Sequence, residues 1–362
     1  MKREYRIGLI GLGGMAREHI HWMDAVGRFR VVAVSDVDAE ALANVGGRLG
    51  LGEEKRYSDF VRLIDDPDVD AIVSVTPNHV HADIVRACLL AGKPFLAEKP
   101  FTRVFEEAVP LLELYERRPV PAMIGFTYRY TPAFRYAREL VRGGAIGAVR
   151  SFSIQYLQGW GSAIYDTPYL WRYNKEITGT GALGDLGSHM IDMARYLFGE
   201  FEELTAMLHT IIPERRDPSS GKPVRVEVDD FASFGARMAD GSVGVFQTTR
   251  NAVGSGNQHE VSIYGDRGTI HASTLDPDRV VRIREEAPGQ LARTTLEVPN
   301  RCKTKQYEDF LALLEGGTAD GLPGFLDGFR NQEVLDAVVR SHVTKRAVRL
   351  PLLGRHEADR QQ

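Results

Sequence analysis

Cysteine is nearly absent. Only Cys88 and Cys302 occur in 362 residues, which excludes a disulfide scaffold and a cysteine-built zinc site. Long apolar runs are missing too, since none approaches the roughly 20 residues that span a bilayer. Met1-Lys2-Arg3-Glu4-Tyr5 leads into a short apolar run, without the long apolar stretch and cleavage site of a secretory signal. A reduced, cytoplasmic protein away from the membrane is expected. Positive charge is not in surplus: 45 Lys and Arg stand against 49 Asp and Glu, net −4, which excludes nucleic-acid binding through bulk charge. Internal repeats and low-complexity tracts are absent. What remains, 43% apolar and 26% charged residues, is the profile of an ordinary globular protein with material for a real core. At roughly 100–200 residues per domain the length favours two domains.

The first third alternates short Val- and Ile-rich runs with longer amphipathic ones. Strands are predicted over 6–10, 29–35, 69–75, 93–97 and 122–126, with helices over 15–26, 39–49, 80–90 and 105–117 between them. That alternation implies right-handed crossovers and a parallel sheet. After Phe126 the pattern changes. Ser151-Phe152-Ser153-Ile154-Gln155-Tyr156 alternates with period two, and further alternating runs cover 205–211, 231–238, 243–249, 261–264 and 280–284. Turn signals such as Ala239-Asp240-Gly241-Ser242 and Gly265-Asp266-Arg267-Gly268 separate several of them, as in an antiparallel meander. Helical spacing marks 179–198, 305–314 and 326–343. The expected fold is α/β, with a parallel-sheet domain over 1–125, an α+β domain over 126–354 and a polar tail over 355–362.

The turn after the first strand reads Gly11-Leu12-Gly13-Gly14-Met15-Ala16, a G-x-G-x-x-A fingerprint. Gly11 permits the tight turn, Gly13 lets backbone approach a pyrophosphate, and small Ala16 lets the helix pack close to the strand. The helix N-terminus adds unpaired N–H groups for the phosphates, with Gly14 and Met15 in its opening turn. Asp36 ends the second strand, at the distance where a carboxylate accepts ribose hydroxyls. It also repels the 2′-phosphate of NADP, and Val37-Asp38 supply no arginine to reverse this, so NAD is the expected cofactor.

Two further places carry chemistry. Lys99 follows Phe95-Leu96-Ala97-Glu98 at the carboxyl end of a predicted parallel strand, where open α/β sheets bind ligands. Its ammonium is suited to hydrogen-bond a reacting hydroxyl and stabilise alkoxide charge. On a helix through 182–198, Leu183, Leu186, Met190, Ala194 and Leu197 form one face, and Asp185, His189 and Asp192 a stripe opposite. A solvated polar face explains that stripe, and so does a general base: a carboxylate one turn from an imidazole holds one tautomer and stabilises the imidazolium. The alternating pairs His19/His21 and His79/His81 have no local third ligand, so no metal is expected. Tyr128-Arg129-Tyr130, Trp160, Trp171 and Arg172 offer aromatic faces and guanidinium groups for a sugar, or simply core packing. Arg250 and Asn257 are in reach of the same region and receive no assignment.

Three stretches resemble the glucose–fructose oxidoreductase/inositol dehydrogenase/rhizopine-catabolism (Gfo/Idh/MocA) family: Thr76-Pro77-Asn78-His79-Val80-His81, Glu98-Lys99-Pro100, and Gly181-Ala182-Leu183-Gly184-Asp185-Leu186-Gly187-Ser188-His189-Met190-Ile191-Asp192. Trp171-Arg172 and Val228-Asp229-Asp230 are similar to the family as well. The resemblance implies an N-terminal Rossmann domain and a C-terminal substrate-binding and oligomerisation domain with an open antiparallel sheet. It implies NAD(P)-dependent oxidation or reduction of a sugar, polyol, inositol or glycoside, and a homodimer or homotetramer. By position, Lys99, Asp185 and His189 match the catalytic lysine and aspartate–histidine pair. Pro77, Asn78, His81 and Glu98 match positions lining the cofactor, where Thr76, Lys99, Trp171 and Arg172 are also expected; Tyr128, Arg129 and Trp160, from their own side-chain chemistry, are expected with the catalytic three around the substrate. The resemblance also leaves open a glycosidase that retains NAD and uses transient oxidation. A non-catalytic NAD-binding regulator is a third reading, which the retained Lys99, Asp185 and His189 count against, because a sensor needs no proton-transfer apparatus.

Overall fold

In the computed structural model, which describes residues 3–353, the apolar runs of the first third become a parallel sheet. The tail assigned to 355–362 lies outside the described residues. β1 (Tyr5–Ile10), β2 (Phe29–Ser35), β3 (Arg56–Tyr57), β4 (Ala71–Ser74), β5 (Phe95–Ala97) and β6 (Ala122–Ile124) are ordered β3-β2-β1-β4-β5-β6, each pair parallel. α1 (Gly14–Val26), α2 (Ala39–Arg48), α3 (Phe60–Ile64), α4 (His81–Ala91) and α5 (Phe105–Arg117) supply the crossovers. Ile7, Leu9, Val34, Ile72, Val73 and Leu96 are fully buried, because strands flanked by helices leave no wet side for polar residues. The strand order reverses at β1, whose neighbours β2 and β4 lead away in opposite directions. The loops after β1 and β4 therefore border the crevice where such sheets take ligands.

This unit comprises the described residues up to Phe126 together with Lys305–Phe329. The second segment belongs to 126–354 on the sequence reading; here its rings cover the first sheet. Tyr307 and Phe310, on the Gln306–Leu314 helix, pack on Phe29, and Phe325 packs on Phe101 and Tyr115. Helical spacing marks such a segment as amphipathic without saying which sheet its apolar face covers.

The second unit holds Thr127–Thr304 and the described residues from Arg330 onward. Its elements are α6 (Pro132–Arg142), β7 (Val149–Gln158), α7 (Lys175–Thr178), α8 (Ser188–Phe198), β8 (Phe201–His209), β9 (Glu214–Arg216), β10 (Pro223–Arg225), β11 (Phe231–Met238), β12 (Val243–Thr249), β13 (Asn257–Gly265), β14 (Gly268–Ser273), β15 (Asp276–Ala287), β16 (Gln290–Glu297) and β17 (Val348–Arg349). β9 and β10 form a two-stranded ribbon, and the other strands one sheet ordered β16-β15-β14-β13-β7-β12-β11-β8-β17. Only β7 and β12 run parallel in it, so the sheet is mixed and mostly antiparallel, not a simple meander. One face is the core: Phe152, Ile154, Phe234, Phe246 and Ile263 meet Phe134 of α6, Met190 and Leu197 of α8, and Val334 and Val338. The alternation puts Val243 and Val245 on the opposite face, 50% and 60% exposed.

Candidate active site

The β1 turn lies hard against the β4 turn. Gly11 has φ +87°, and a Cβ there would come within 2.9 Å of Thr76 Cγ2 and the Val75 backbone, so only glycine fits. Gly13 and Gly14 face open space: no heavy atom lies within 4 Å of where a Cβ would stand. No side chain caps α1 at Gly13, which leaves its first N–H groups for an anion. Met15 is 41% exposed on that turn, whereas Ala16 is buried beneath it. Asp36 has a second task that its spacing does not reveal. Its Oδ2 accepts from Leu12 N–H at 2.7 Å and its Oδ1 from Asp38 N–H at 2.9 Å, which pins the glycine turn to the end of β2. Each oxygen keeps a further lone pair for a ribose hydroxyl. Open space before an uncapped helix and a carboxylate at the end of β2 fit a dinucleotide.

Thr76 and Pro77 are half-buried at the end of β4, and Asn78 is buried. His81 is buried as well, with Nδ1 2.7 Å from Pro100 O and Nε2 2.8 Å from Thr76 O. Burial pushes its pKa down, while the two carbonyls push the other way. The ring thus braces the turn after β4 against the turn after β5, a position inside the protein that differs from the expected cofactor-facing one. Glu98 follows β5 with its side chain 12% exposed. Its Oε2 accepts from Lys99 N–H at 3.3 Å, and its Oε1 lies 3.2 Å from His19 Nε2. Burial pushes the Glu98 carboxyl up, but the hydrogen bond from His19, the Lys99 charge and the Lys99 N–H work against it, and the group stays below the usual carboxylate range. Lys99 is half-buried, and the Lys99–Pro100 peptide bond is cis.

In the second unit the helix expected over 182–198 starts as a π-turn, Leu183–Gly187, and continues as α8. Asp229 organises the turn. Its carboxylate accepts from Gly181 N–H and Leu183 N–H, both at 2.7 Å, and its carbonyl from Ala182 N–H at 2.9 Å. The approach is so close that a Cβ on Gly181 would lie 1.9 Å from Asp229 O. The stripe of Asp185, His189 and Asp192 is not a solvated face: His189 is 6% exposed and Asp192 1%. Asp185 Oδ2 accepts from Nη2 of Arg250 at 3.0 Å, and the same nitrogen donates to Gly181 O at 3.0 Å. Asp192 receives Arg129 through Nε at 2.8 Å and Nη2 at 2.5 Å. Arg129 also lies over the Tyr196 ring. Its guanidinium is inside the protein, 3% exposed, and so differs from the substrate-facing group expected of it. The pair ties the Thr127–Tyr130 turn to α8, and the neighbouring Tyr128 presents its ring edge-on to His189, centroids 4.7 Å apart.

A chain of neutral polar groups leads away from His189. Tyr128 Oη and Tyr156 Oη lie 2.5 Å apart. Asn257 Nδ2 donates to Tyr128 Oη, and Tyr156 O–H to Asn257 Oδ1, both at 2.7 Å. Gln158 Nε2 donates to Asn257 Oδ1, and Trp160 Nε1 to Gln158 Oε1, both again at 2.7 Å. Tyr156, Gln158 and Asn257 were not assigned to the site from sequence. Asn257 and Gln158 face each other across the β7–β13 ladder, a register that no local pattern displays. Trp160 is half-buried beneath the Arg250 guanidinium, 5.1 Å from the ring centroid. Trp171 is 38% exposed on a short 3₁₀ turn, with Arg172 stacked over it at 4.4 Å. Among the described residues no group of three or more His, Cys, Asp and Glu could hold a metal ion, and no helix is long and apolar enough to cross a membrane.

Comparison with known proteins agrees across both units. The oxidoreductase-family model for an NAD-binding Rossmann fold matches residues 5–126, and the GFO/IDH/MocA C-terminal domain model matches 134–271. Levoglucosan dehydrogenase of Pseudarthrobacter phenanthrenivorans is 35% identical, over 96% of this chain and 98% of that protein. Myo-inositol 2-dehydrogenase of Thermotoga maritima is 30% identical, over 78% of this chain and 79% of that one. A solved levoglucosan dehydrogenase in complex with NADH and L-sorbose superposes with a TM-score of 0.89 at 32% identity, over 97% of this chain and 100% of that one.

Proposed function

The chain belongs to the Gfo/Idh/MocA family of NAD-dependent oxidoreductases acting on CH–OH groups, and from that premise we propose that it oxidises a secondary hydroxyl of a neutral pyranose-like sugar or cyclic polyol, or reduces the corresponding ketone. The observation that carries the reading is the run of Tyr128, Tyr156, Asn257, Gln158 and Trp160 beside His189. Its members are uncharged, the phenols and amides donate as well as accept while the Trp160 indole only donates, and rings are interleaved among them. Those properties suit the hydroxyls and apolar faces of a sugar, and the run supplies no positive charge to balance a phosphate.

NAD, when bound, supplies the hydride acceptor. His189 takes the hydroxyl proton as the hydride leaves the same carbon, a role worth on the order of 10²–10⁴ in rate. Lys99 hydrogen-bonds the reacting oxygen and stabilises its developing negative charge. Asp185, itself oriented by Arg250, favours the imidazolium formed on His189. Asp36 holds the ribose and disfavours NADP.

Levoglucosan, named in the 35% identical relative, heads the compounds to test. The experiment is a panel of anhydrosugars, sugars, inositols and glycosides scored for NADH absorbance, with product analysis. Net NADH with a ketone product supports the reading. A released aglycone without net NADH refutes it in favour of the glycosidase. A homodimer or homotetramer through the open sheet face belongs to the same proposal, supported by the exposed Val243, Val245 and Met207. A monomer in sedimentation analysis refutes that part.

A further inference from the structure

His19 has no task in the chemistry above, yet it is completely buried, whereas His21 two residues on is exposed. Its ring spans two partners within the first unit. Nδ1 lies 2.7 Å from the Tyr307 hydroxyl, and Nε2 3.2 Å from Glu98 Oε1. Tyr307 is itself buried, packed edge-on to Phe29 and Phe310, and burial holds its hydroxyl protonated well beyond the ordinary range. A neutral imidazole satisfies every atom of this arrangement. The Tyr307 O–H donates to Nδ1, Nε2–H donates to Glu98, and the other carboxylate oxygen accepts from Lys99 N–H.

The far end of this chain is the part that matters to the cofactor. Asp36 marks the adenosine ribose at the end of β2, on one side of β1, while β4 and β5 lie on the other side. Glu98, at the end of β5, therefore belongs to the nicotinamide half of the crevice. Oxidised nicotinamide carries a positive charge and the reduced ring does not, so a fixed carboxylate there acts on only one of the two forms. Left without His19, that carboxylate would be a half-buried acid whose surroundings favour the protonated form.

We propose that Tyr307 and His19 form a positioning relay that anchors the Glu98 carboxylate beside Lys99 and thereby makes the protein bind NAD⁺ more tightly relative to NADH. His19 and Tyr307 are positioning residues, since they touch neither substrate nor cofactor in this scheme. The inference rests on the NAD reading, and the return of residues 305–329 to the first unit gains a purpose from it: the segment delivers Tyr307.

The test measures dissociation constants for NAD⁺ and NADH separately, by calorimetric titration of the full-length protein and of His19→Leu, His19→Gln and Tyr307→Phe. His19→Leu is expected to raise the ratio of the NAD⁺ to the NADH constant on the order of tenfold, within the reach of one partly screened charge. His19→Gln keeps a donor toward Glu98 and should hold most of the parental ratio, with Tyr307→Phe in between. A merely structural role weakens both forms by the same factor, so an unchanged ratio in His19→Leu overturns the proposal. If that variant fails to fold, Tyr307→Phe, which only deletes a hydroxyl, decides alone: a raised ratio supports the relay and the parental ratio overturns it. Failure of the unmutated protein to bind either nucleotide would instead overturn the NAD reading.

Discussion

Arg250 makes a sharp demand on the structure of the second unit. Its side chain is 1% exposed, and one nitrogen serves both the Asp185 carboxylate and the Gly181 carbonyl at 3.0 Å. Arg250→Met keeps most of the buried volume and removes both bonds. Deleting one partner of a buried ion pair costs ~3–5 kcal/mol. Asp185 retains 24% exposure of its side chain, so water recovers part of its solvation and the lower end, ~3 kcal/mol, is expected. For a unit of this size 1 kcal/mol corresponds to ~2–4 °C, which puts the loss at ~6–12 °C in the calorimetric transition that reports the second unit. Arg250→Lys keeps the charge but loses the second nitrogen that reaches Arg172 O and the planar guanidinium over Trp160, and should lose roughly half as much. NADH formation should fall in the Met variant with NAD affinity intact, because the arginine acts on Asp185 and not on the glycine turn. A Met variant that melts within ~2 °C of the parent would show that the Asp185–Arg250 pair does not hold this turn together.

Three further outcomes concern Asp36, the pair His189 and Lys99, and His259. Asp36→Ala should shrink the preference for NAD over NADP, and equal binding of the two nucleotides by the unmutated protein would contradict the assignment. His189→Ala and Lys99→Met should each bind NAD normally and lose on the order of 10²-fold or more in turnover at saturating cofactor; weak NAD binding with near-normal saturated turnover in Lys99→Met would reduce that lysine to a cofactor contact. His259 is buried with neither ring nitrogen hydrogen-bonded, and burial pushes its pKa from 6.5 down to about 3. The unfolded chain takes up a proton below about 6.5 that the folded chain refuses, so stability is full above that pH and is lost as pH falls toward the folded value. Between pH 7 and pH 5 this amounts to about 2 kcal/mol, a loss that His259→Phe should remove from denaturant titrations at the two pH values; an unchanged pH dependence in that variant would count against it.

The legible part of the fold is the part written in local periodicity. β2, β11, β12 and α5 coincide with the runs read for them, because period-two and helical patterns are set by which face of one element is buried. β3 and α3 escaped notice. Two residues, Arg56 and Tyr57, cannot display a period, and the stretch around them is rich in charge. α6 received no assignment either, although Ala133, Phe134 and Ala137 line its buried face at helical spacing. The parallel pairing of β7 with β12 lies beyond any pattern along the chain, since both strands alternate as they would in an antiparallel ladder.

The candidate site divides along the same line. Gly11, Asp36 and the placement of Lys99 at a strand end could be read from position in a strand–turn–helix unit. The arginines and the aspartate that hold the second unit's site together could not, because each pairs with a residue far along the chain: Arg129 with Asp192, Arg250 with Asp185, Asp229 with the amides of Gly181 and Leu183. A signal was nevertheless present. Asp192 stands in Met190-Ile191-Asp192-Met193-Ala194, an apolar run of which every member is buried. A carboxylate among such neighbours must be paired or neutral, since an isolated buried charge costs more than a domain's whole stability. The run therefore announces a buried cation without naming it, and Arg129, inside Tyr128-Arg129-Tyr130, is the mirror case. Read as a pair, the two would have assigned Tyr128 to the histidine and Arg129 to the scaffold, which is the division of labour the structure has.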